Sequence, residues 1–354
     1  MNIINNKLYI EDIHNVLKIN LPWELLKNSS ILLSGATGLI GSFLVDVINT
    51  ANLEQQLNCK IFTLGRSEER AKIRFSYIYN NPNSLQYFHF IPYDINLAFK
   101  REDIRDVDYI IHLASNTHPL QYSSDPIGTI TTNIIGTQNM LEFACDHNAK
   151  RVAFASSNEI YGENRGDIEL FSEDYCGYID SNTLRAGYPE SKRCGEALCQ
   201  AYIKQRGMDI VIPRFTRSYG PTMLMSDSKA ISQFIKKGIA GEDIVLKSEG
   251  NQYYSYTYVA DAVSGLLTIL LKGECGEAYN IADEESDITL KDLAWLIAEK
   301  TGKKVVFEIP DSVESAGYSK ATKARLDGKK IKKLMWKPNY SIKKGIYRTI
   351  DILS

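Results

Sequence analysis

Ile31-Leu32-Leu33-Ser34-Gly35-Ala36-Thr37-Gly38-Leu39-Ile40-Gly41 decides how the rest of the chain is read. The apolar run 31–33 has the length and composition of a buried parallel strand, and Ser42-Phe43-Leu44-Val45-Asp46-Val47-Ile48 continues with helical spacing. The Gly-x-x-Gly-x-x-Gly turn between them suits a pyrophosphate. Gly35 permits the tight turn out of the strand, Gly38 lets the backbone approach the phosphates, and Gly41 lets the helix pack close to the sheet. The free N–H groups and positive end of the new helix then face the anion, with Thr37, Leu39 and Ile40 beside it. Three glycines alone also fit an ordinary strand-to-helix turn. The strand before and the amphipathic helix after are the context that points to a dinucleotide site.

With 354 residues, the chain has room for one large α/β domain carrying a smaller lobe. Its 44% hydrophobic and 24% charged residues are ordinary for a globular protein in water. A net charge of −2 leaves no electrostatic footprint for nucleic acid. The Lys-rich end (Lys320, Lys323, Lys329, Lys330, Lys332, Lys333, Lys337) reads as a solvated face, because Leu326, Ile331, Leu334 and Trp336 interrupt it as core positions do. Six scattered cysteines without a Cys-x-x-Cys pair imply reduced thiols and argue against a metal site. The first residues lack the apolar core of a signal peptide, and no window has the length of a membrane span, so a cytoplasmic protein without membrane contact is expected.

Residues 1–29 read as an N-terminal helical extension, with Trp23, Leu25 and Leu26 as packing residues. Lys60-Ile61-Phe62-Thr63-Leu64 is a second strand ending at Gly65-Arg66-Ser67. An acid at this strand end usually holds the ribose 2′-hydroxyl of NAD, and an arginine accommodates a 2′-phosphate. Arg66 therefore favours NADP over NAD, the alternatives being a solvated arginine or one stacked on the adenine of NAD. A third strand ends at Asp94-Ile95, near the adenine. A fourth, 107–115, ends in Ala114 and Ser115, small residues that suit a cofactor crossing the sheet edge. A helix from Asp125-Pro126 to Ala144 carries Asn133, Gly136 and Thr137, and a further strand ends at Ser156-Ser157. This alternation predicts an α/β fold, a Rossmann-type doubly wound parallel sheet with a smaller C-terminal substrate-binding lobe. The dinucleotide domain spans 30–183, a helix and strand at 184–218 join it to the rest, and 219–354 form mainly the lobe. Stretches 163–184 and 220–228 read as substrate-covering loops, and 241–261 as a hairpin-like segment.

The chemistry converges on Ser157, Tyr188 and Lys192. Tyr188-Pro189-Glu190-Ser191-Lys192 places phenol and ammonium four residues apart, on one face of a helix. A phenol with pKa about 10 is a poor base at neutral pH. A fixed ammonium and an oxidised nicotinamide ring beside it favour the phenolate. Ser157 then shares the proton or holds the substrate oxygen. Among 21 tyrosines a Tyr-x-x-x-Lys match arises by chance; its order after the glycine turn and a serine-ended strand gives it meaning.

These stretches, together with His112-Leu113-Ala114-Ser115, Ser156-Ser157-Asn158-Glu159-Ile160-Tyr161-Gly162 and Tyr258-Val259-Ala260-Asp261, resemble the extended short-chain dehydrogenase/reductase family. The resemblance is to its nucleotide-sugar epimerases, dehydratases and decarboxylases, and covers the chain from about residue 30. It implies a nucleotide-diphosphate sugar substrate, lined by Ser115, His118, Arg185, Arg217 and Tyr254. It implies cofactor contacts at Asn133, Tyr188 and Lys192 besides those above, and a homodimer through helices at 138–145 and 195–206.

Ser157-Asn158-Glu159 is the informative triplet. The family's 4,6-dehydratases look like Thr-Asp-Glu here, with acid and base eliminating water across C5 and C6. Glu159 matches the base, whereas the amide of Asn158 does not donate a proton as an acid does. Epimerases generally lack the glutamate. Residues 173–177 and the sequence around Arg185-Ala186-Gly187-Tyr188 look most like UDP-glucuronate decarboxylases, which oxidise C4, lose the C6 carboxylate and reduce C4 again. C4 oxidation followed by decarboxylation or dehydration at C5/C6 is thus the expected reaction. A 4-epimerase, an NADPH-dependent keto-sugar reductase and a non-catalytic dinucleotide-binding protein are the alternatives. Two departures concern substrate: the family usually has asparagine where Arg217 stands, and a diphosphate-binding arginine where Tyr254 stands. Arg217 is therefore expected to take over the diphosphate contact.

Overall fold

A computed structural model describes residues 3–100, 104, 107–117, 122, 124–308 and 322–354. His118, expected at the substrate, and Lys320 of the Lys-rich run lie outside the described residues. The main sheet contains β1 (Ser30–Ser34), β2 (Lys60–Gly65), β3 (Phe88–Pro92), β4 (Tyr109–His112), β5 (Arg151–Phe154), β6 (Ser156–Ser157), β7 (Ile210–Phe215) and, further on, Ala278–Ile281. Its order runs from Ala278–Ile281 through β7, β5, β4 and β1 to β2 and β3, with β6 beside β7, and every pairing is parallel.

Each inner strand is buried on both faces, as the apolar runs predict. Alternation then sorts the side chains. Ile31 and Leu33 join one core, with Phe43 and Val47 of the helix after the glycine turn, while Leu32 joins the other, with Met140 and Phe143. The helices of seven residues or more are α1 (Lys7–Leu17), α2 (Leu39–Gln55), α3 (Glu68–Arg74), α4 (Pro126–Asp146), α5 (Gly187–Arg206), α6 (Ala230–Ile239), α7 (Val259–Lys272), α8 (Leu290–Thr301) and α9 (Ile342–Leu353). Asp125 caps α4 by accepting from Gly128 N at 3.0 Å.

The chain runs outward from β1 to β3, then returns to place β4 on the other side of β1. Strand order reverses between β1 and β4, and a parallel sheet binds ligands at the carboxyl ends beside such a reversal. The glycine turn follows β1 there, and Ala114 follows β4.

Beyond β7, β8 (Arg217–Tyr219) and β9 (Ile244–Leu246) begin smaller sheets, followed by β10 (Tyr253–Tyr258). The hairpin expected at 241–261 does not form. β9 pairs with Val305–Phe307, whereas β10 pairs with β8, Asp287–Thr289 and Lys323–Ala324. The connection at Gly250, φ +74°, lies against Lys291, whose N–H bonds to the Gly250 carbonyl, so its backbone partners come from α8 and not from a facing strand. Leu26 packs in the core and Trp23 against it, but Leu25 is 48% exposed, because the 3-10 turn there points it outward.

The N-terminal extension is fastened at two buried carboxylates. Asp46 of α2 accepts from Tyr9, Tyr77 and Arg74. Asp12 of α1 accepts from Tyr258 (2.5 Å), Tyr340 (2.6 Å) and Arg348 Nε (2.7 Å), which joins α1 to the end of β10 and to α9. All six cysteines are free thiols. Among the described residues no helix is long and apolar enough to cross a membrane, and no acid, His or Cys group is arranged to hold a metal.

Candidate active site

Gly35, Thr37, Gly38, Leu39, Ile40 and Gly41 line a cavity of about 1610 Å³ that runs from the carboxyl ends of β1, β2 and β4 to the second lobe. The turn is compact. A Cβ on Gly41 would lie 2.4 Å from the Gly35 carbonyl oxygen, and one on Gly35, φ +77°, 2.8 Å from Ala114 N. Gly38 meets only the Gly35 carbonyl, at 3.3 Å, and no side chain caps α2. An uncapped 17-residue helix behind an open glycine cradle fits a pyrophosphate. Thr222 Oγ donates to the Leu39 carbonyl at 2.8 Å, so the second lobe touches the turn directly. Arg66, Asp94, Ile95, Ala114 and Ser115 line the same cavity, Arg66 exposed at its far end with Arg70.

Asn133 is placed differently from its expected cofactor contact. It is fully buried and absent from the cavity wall, because both ends of its amide are in use. It accepts from Ser115 Oγ at 2.7 Å and donates to Ser191 Oγ at 2.9 Å; Ser191 in turn donates to the Tyr188 carbonyl. Asn133 therefore positions Ser115 and the start of α5.

Tyr188 and Lys192 occupy one buried face of α5, and Ser157 lines the cavity with them at the end of β6. Lys192 Nζ donates to the Ala155 carbonyl at 2.8 Å. Burial pushes the Lys192 ammonium down to about 7 and the Tyr188 phenol up to about 12. Hydrogen bonds from Ser157 and Ser115 pull Tyr188 the other way, and the Glu159 charge adds to the rise. The net lowering expected of this phenol is not found: in the protein by itself, desolvation decides. His112, between Ser34 Oγ at 2.7 Å and Thr137 Oγ at 3.2 Å, is driven down to about 3 by burial and stays a neutral structural group.

Glu159 follows Ser157 and the buried Asn158, and Arg185 Nη2 donates to both its oxygens, at 3.0 and 2.9 Å. The Arg185 guanidinium also lies 5.0 Å over the Tyr122 ring, and Tyr122 stacks on Tyr188 at 4.8 Å. Tyr122, which stands three residues before Asp125-Pro126, was not singled out from the sequence. Thr222 and Arg70 were missed too; Arg70, one turn after Arg66, carried a readable charge. On the opposite wall stand Arg217 and Tyr254. A phenol, a serine hydroxyl and a buried lysine around one point suit proton exchange with a substrate hydroxyl, beside a carboxylate–guanidinium pair.

The pattern of the NAD dependent epimerase/dehydratase family matches residues 31–282. UDP-glucuronic acid decarboxylase 1 of Xenopus tropicalis is 32% identical over 321 residues, covering 90% of this chain and 71% of the relative. Its Danio rerio counterpart is 31% identical over 326 residues, covering 92% and 72%. Among solved structures, a UDP-glucuronic acid 4-epimerase from Bacillus cereus, in complex with UDP-glucuronic acid and NAD, superposes with TM-score 0.76 at 25% identity, covering 92% of this chain and 98% of that one. A dTDP-glucose 4,6-dehydratase from Streptomyces venezuelae gives 0.75 at 24%, covering 91% and 96%. With the glycine turn, the serine-ended strand and the Tyr188–Lys192 helix in one cavity, the chain belongs to the NAD dependent epimerase/dehydratase family.

Proposed function

We propose that the protein oxidises a nucleotide sugar at C4, releases the C6 carboxylate of a uronate as carbon dioxide, and reduces C4 again. The observation that carries this is the Glu159–Arg185 pair beside Ser157 and Tyr188. With both oxygens held by a guanidinium and an amide at Asn158, the site lacks the free acid and base that dehydration across C5 and C6 requires. A guanidinium there suits a substrate carboxylate.

Ser157 and Tyr188 receive the C4 hydroxyl. Tyr188 takes its proton, and Lys192, buried behind it, supplies the positive charge that favours the phenolate. The dinucleotide, held by the glycine turn, supplies the two-electron oxidation at C4 and its reversal. The C4 ketone is then β to the C6 carboxylate, so the C5–C6 bond breaks with its electrons moving toward the C4 oxygen. Arg185 orients the carboxylate, Tyr122 covers the phenol, and a proton taken up from solvent at C5 precedes return of the Tyr188 proton to the C4 oxygen.

Incubation with UDP-glucuronate is the test. Carbon dioxide and a UDP-pentose without net change in dinucleotide support the reading. A product of unchanged carbon number makes the protein an epimerase or dehydratase, and stoichiometric NADPH consumption makes it a reductase.

For the cofactor, exposed Arg66 and Arg70 at the cavity end favour a 2′-phosphate, against NAD in the family's description and in the superposed structures. Comparison of NAD and NADP affinities decides. A homodimer through the helices at 138–145 and 195–206 is part of the same proposal, and Ile127, Ile130 and Ile135, exposed on the preceding turns of α4, extend the apolar surface that a second copy would cover. Ile130→Asp is expected to give a monomer in light scattering, and an unchanged mass would exclude this face.

A further inference from the structure

Two positively charged side chains stand in the substrate half of the cavity in different circumstances. Arg185 is paired through Nη2 with Glu159. Arg217 has no such partner among the described residues. It opens β8 opposite Tyr256 of β10, in parallel register, so the pleat puts its side chain on the same face as Tyr254 and Tyr256. Its guanidinium carbon lies 3.6 Å from the centre of the Tyr254 ring, and its Nη1 is buried without a hydrogen-bond partner. Its charge acts on Tyr122, Tyr254 and Tyr256. Glu159, the acid whose charge also reaches Tyr122 and Tyr254, is engaged by Arg185.

A desolvated guanidinium with an idle donor is unfavourable by itself and gains most from an anion that completes its fork. A ring face at 3.6 Å supports the planar cation without using any of its donors. The stack thus fixes the orientation of the fork before ligand arrives, and an arginine so aimed loses little freedom on binding.

We infer that Arg217 and Tyr254 act as one unit, a ring-backed guanidinium that grips the diphosphate of the substrate. This rests on the nucleotide-sugar reading above. The assignment to diphosphate and not to the sugar carboxylate follows from position. The carboxylate carbon is two bonds from C4, whose hydroxyl has to reach Tyr188. Arg185 bonds to Glu159, two residues after Ser157, and lies over Tyr122, which stacks on Tyr188, whereas Arg217 opens β8 beside β10 and lies over Tyr254. Arg185 therefore serves the carboxylate end and Arg217 the phosphate end. Tyr254 serves as the plate beneath the cation. In this chain, positions 217 and 254 are a coupled pair.

The test measures UDP and uridine binding by calorimetry on the full-length protein, for wild type, Arg217→Ala, Tyr254→Ala and Arg217→Asn/Tyr254→Arg. Thermal unfolding and dinucleotide affinity serve as folding controls. The expected result is a UDP Kd raised at least tenfold by Arg217→Ala and severalfold by Tyr254→Ala, with uridine unaffected. The double variant, which moves the cation from β8 to its neighbour β10, is expected to recover at least half the lost binding free energy. Wild type that binds UDP with an affinity unchanged by Arg217→Ala overturns the inference and leaves the nucleotide-sugar reading standing. Loss confined to UDP-glucuronate, with UDP unaffected, moves Arg217 to the carboxylate and also overturns it. Wild type that binds no nucleoside diphosphate overturns both.

Discussion

Ser157 is the residue whose loss reports most directly on the chemistry. Its hydroxyl bonds to the Tyr188 phenol and pulls it down against burial, so Ser157→Ala raises the pKa further. The acid limb of kcat/KM is expected to move to higher pH, with the rate at neutral pH falling about 10²-fold or more. A pH–rate profile of the two proteins checks this, and an unmoved limb would mean that Ser157 only shapes the cavity. Lys192 gives the opposite kind of signature. Its folded value of about 7 lies below the unfolded one near 10.5, so its contribution to stability is present above about 10.5 and lost as pH falls through 7. At neutral pH the buried lysine is therefore a strain. Lys192→Met is expected to abolish turnover while leaving the urea midpoint at pH 7 unchanged or higher. An unfolding free energy lowered by about 1 kcal/mol or more would show that the bond to the Ala155 carbonyl outweighs the desolvation. The identities of Tyr188 and Lys192 were legible because four residues of helix fix them on one face. The direction of the Tyr188 shift was not, since it depends on burial by Tyr122 and other side chains distant in sequence.

At the scale of elements, the β1–turn–α2 unit was readable almost residue by residue, because strand, glycines and helix are contiguous and each glycine has a local steric reason. Gly41→Ala is the sharp test. Its Cβ would sit 2.4 Å from the Gly35 carbonyl, so α2 has to move off the turn, and the dinucleotide Kd is expected to rise at least tenfold in fluorescence titration. An affinity within twofold of wild type would show that the turn relaxes without losing its cradle. The β9–β10 segment failed as a reading for the complementary reason. Its two strands are apolar, short and joined by a glycine, as hairpins are, yet both find partners tens of residues away. Pairing of that range leaves no local trace. The Arg217–Tyr254 stack was hidden in the same way: each departure was visible by itself, but their contact depends on β8 pairing with β10.

For the whole molecule, the decisive feature is the buried carboxylate of Asp12. It accepts bonds from β10, from Tyr340 and from α9, so one short helix of the extension holds together parts of the chain that belong to different layers. Asp12→Ala leaves two phenols and the Nε of Arg348 without their acceptor, and a destabilisation of about 3–5 kcal/mol is expected from denaturant unfolding. A loss under about 1 kcal/mol would mean that water replaces the carboxylate. The sequence marked the extension as helical but gave its polar residues no role, since an aspartate facing into the protein looks the same as one facing water. The partners of Asp12 also bear on time. Tyr340 and Arg348 lie 328 and 336 residues further along the chain. While the ribosome is still adding those residues, α1 can meet α2 through Tyr9 and Asp46, but Asp12 lacks two of its three donors. The glycine turn is available early, whereas the N-terminal helix, translated before it, completes its anchorage only when Tyr340 and Arg348 arrive.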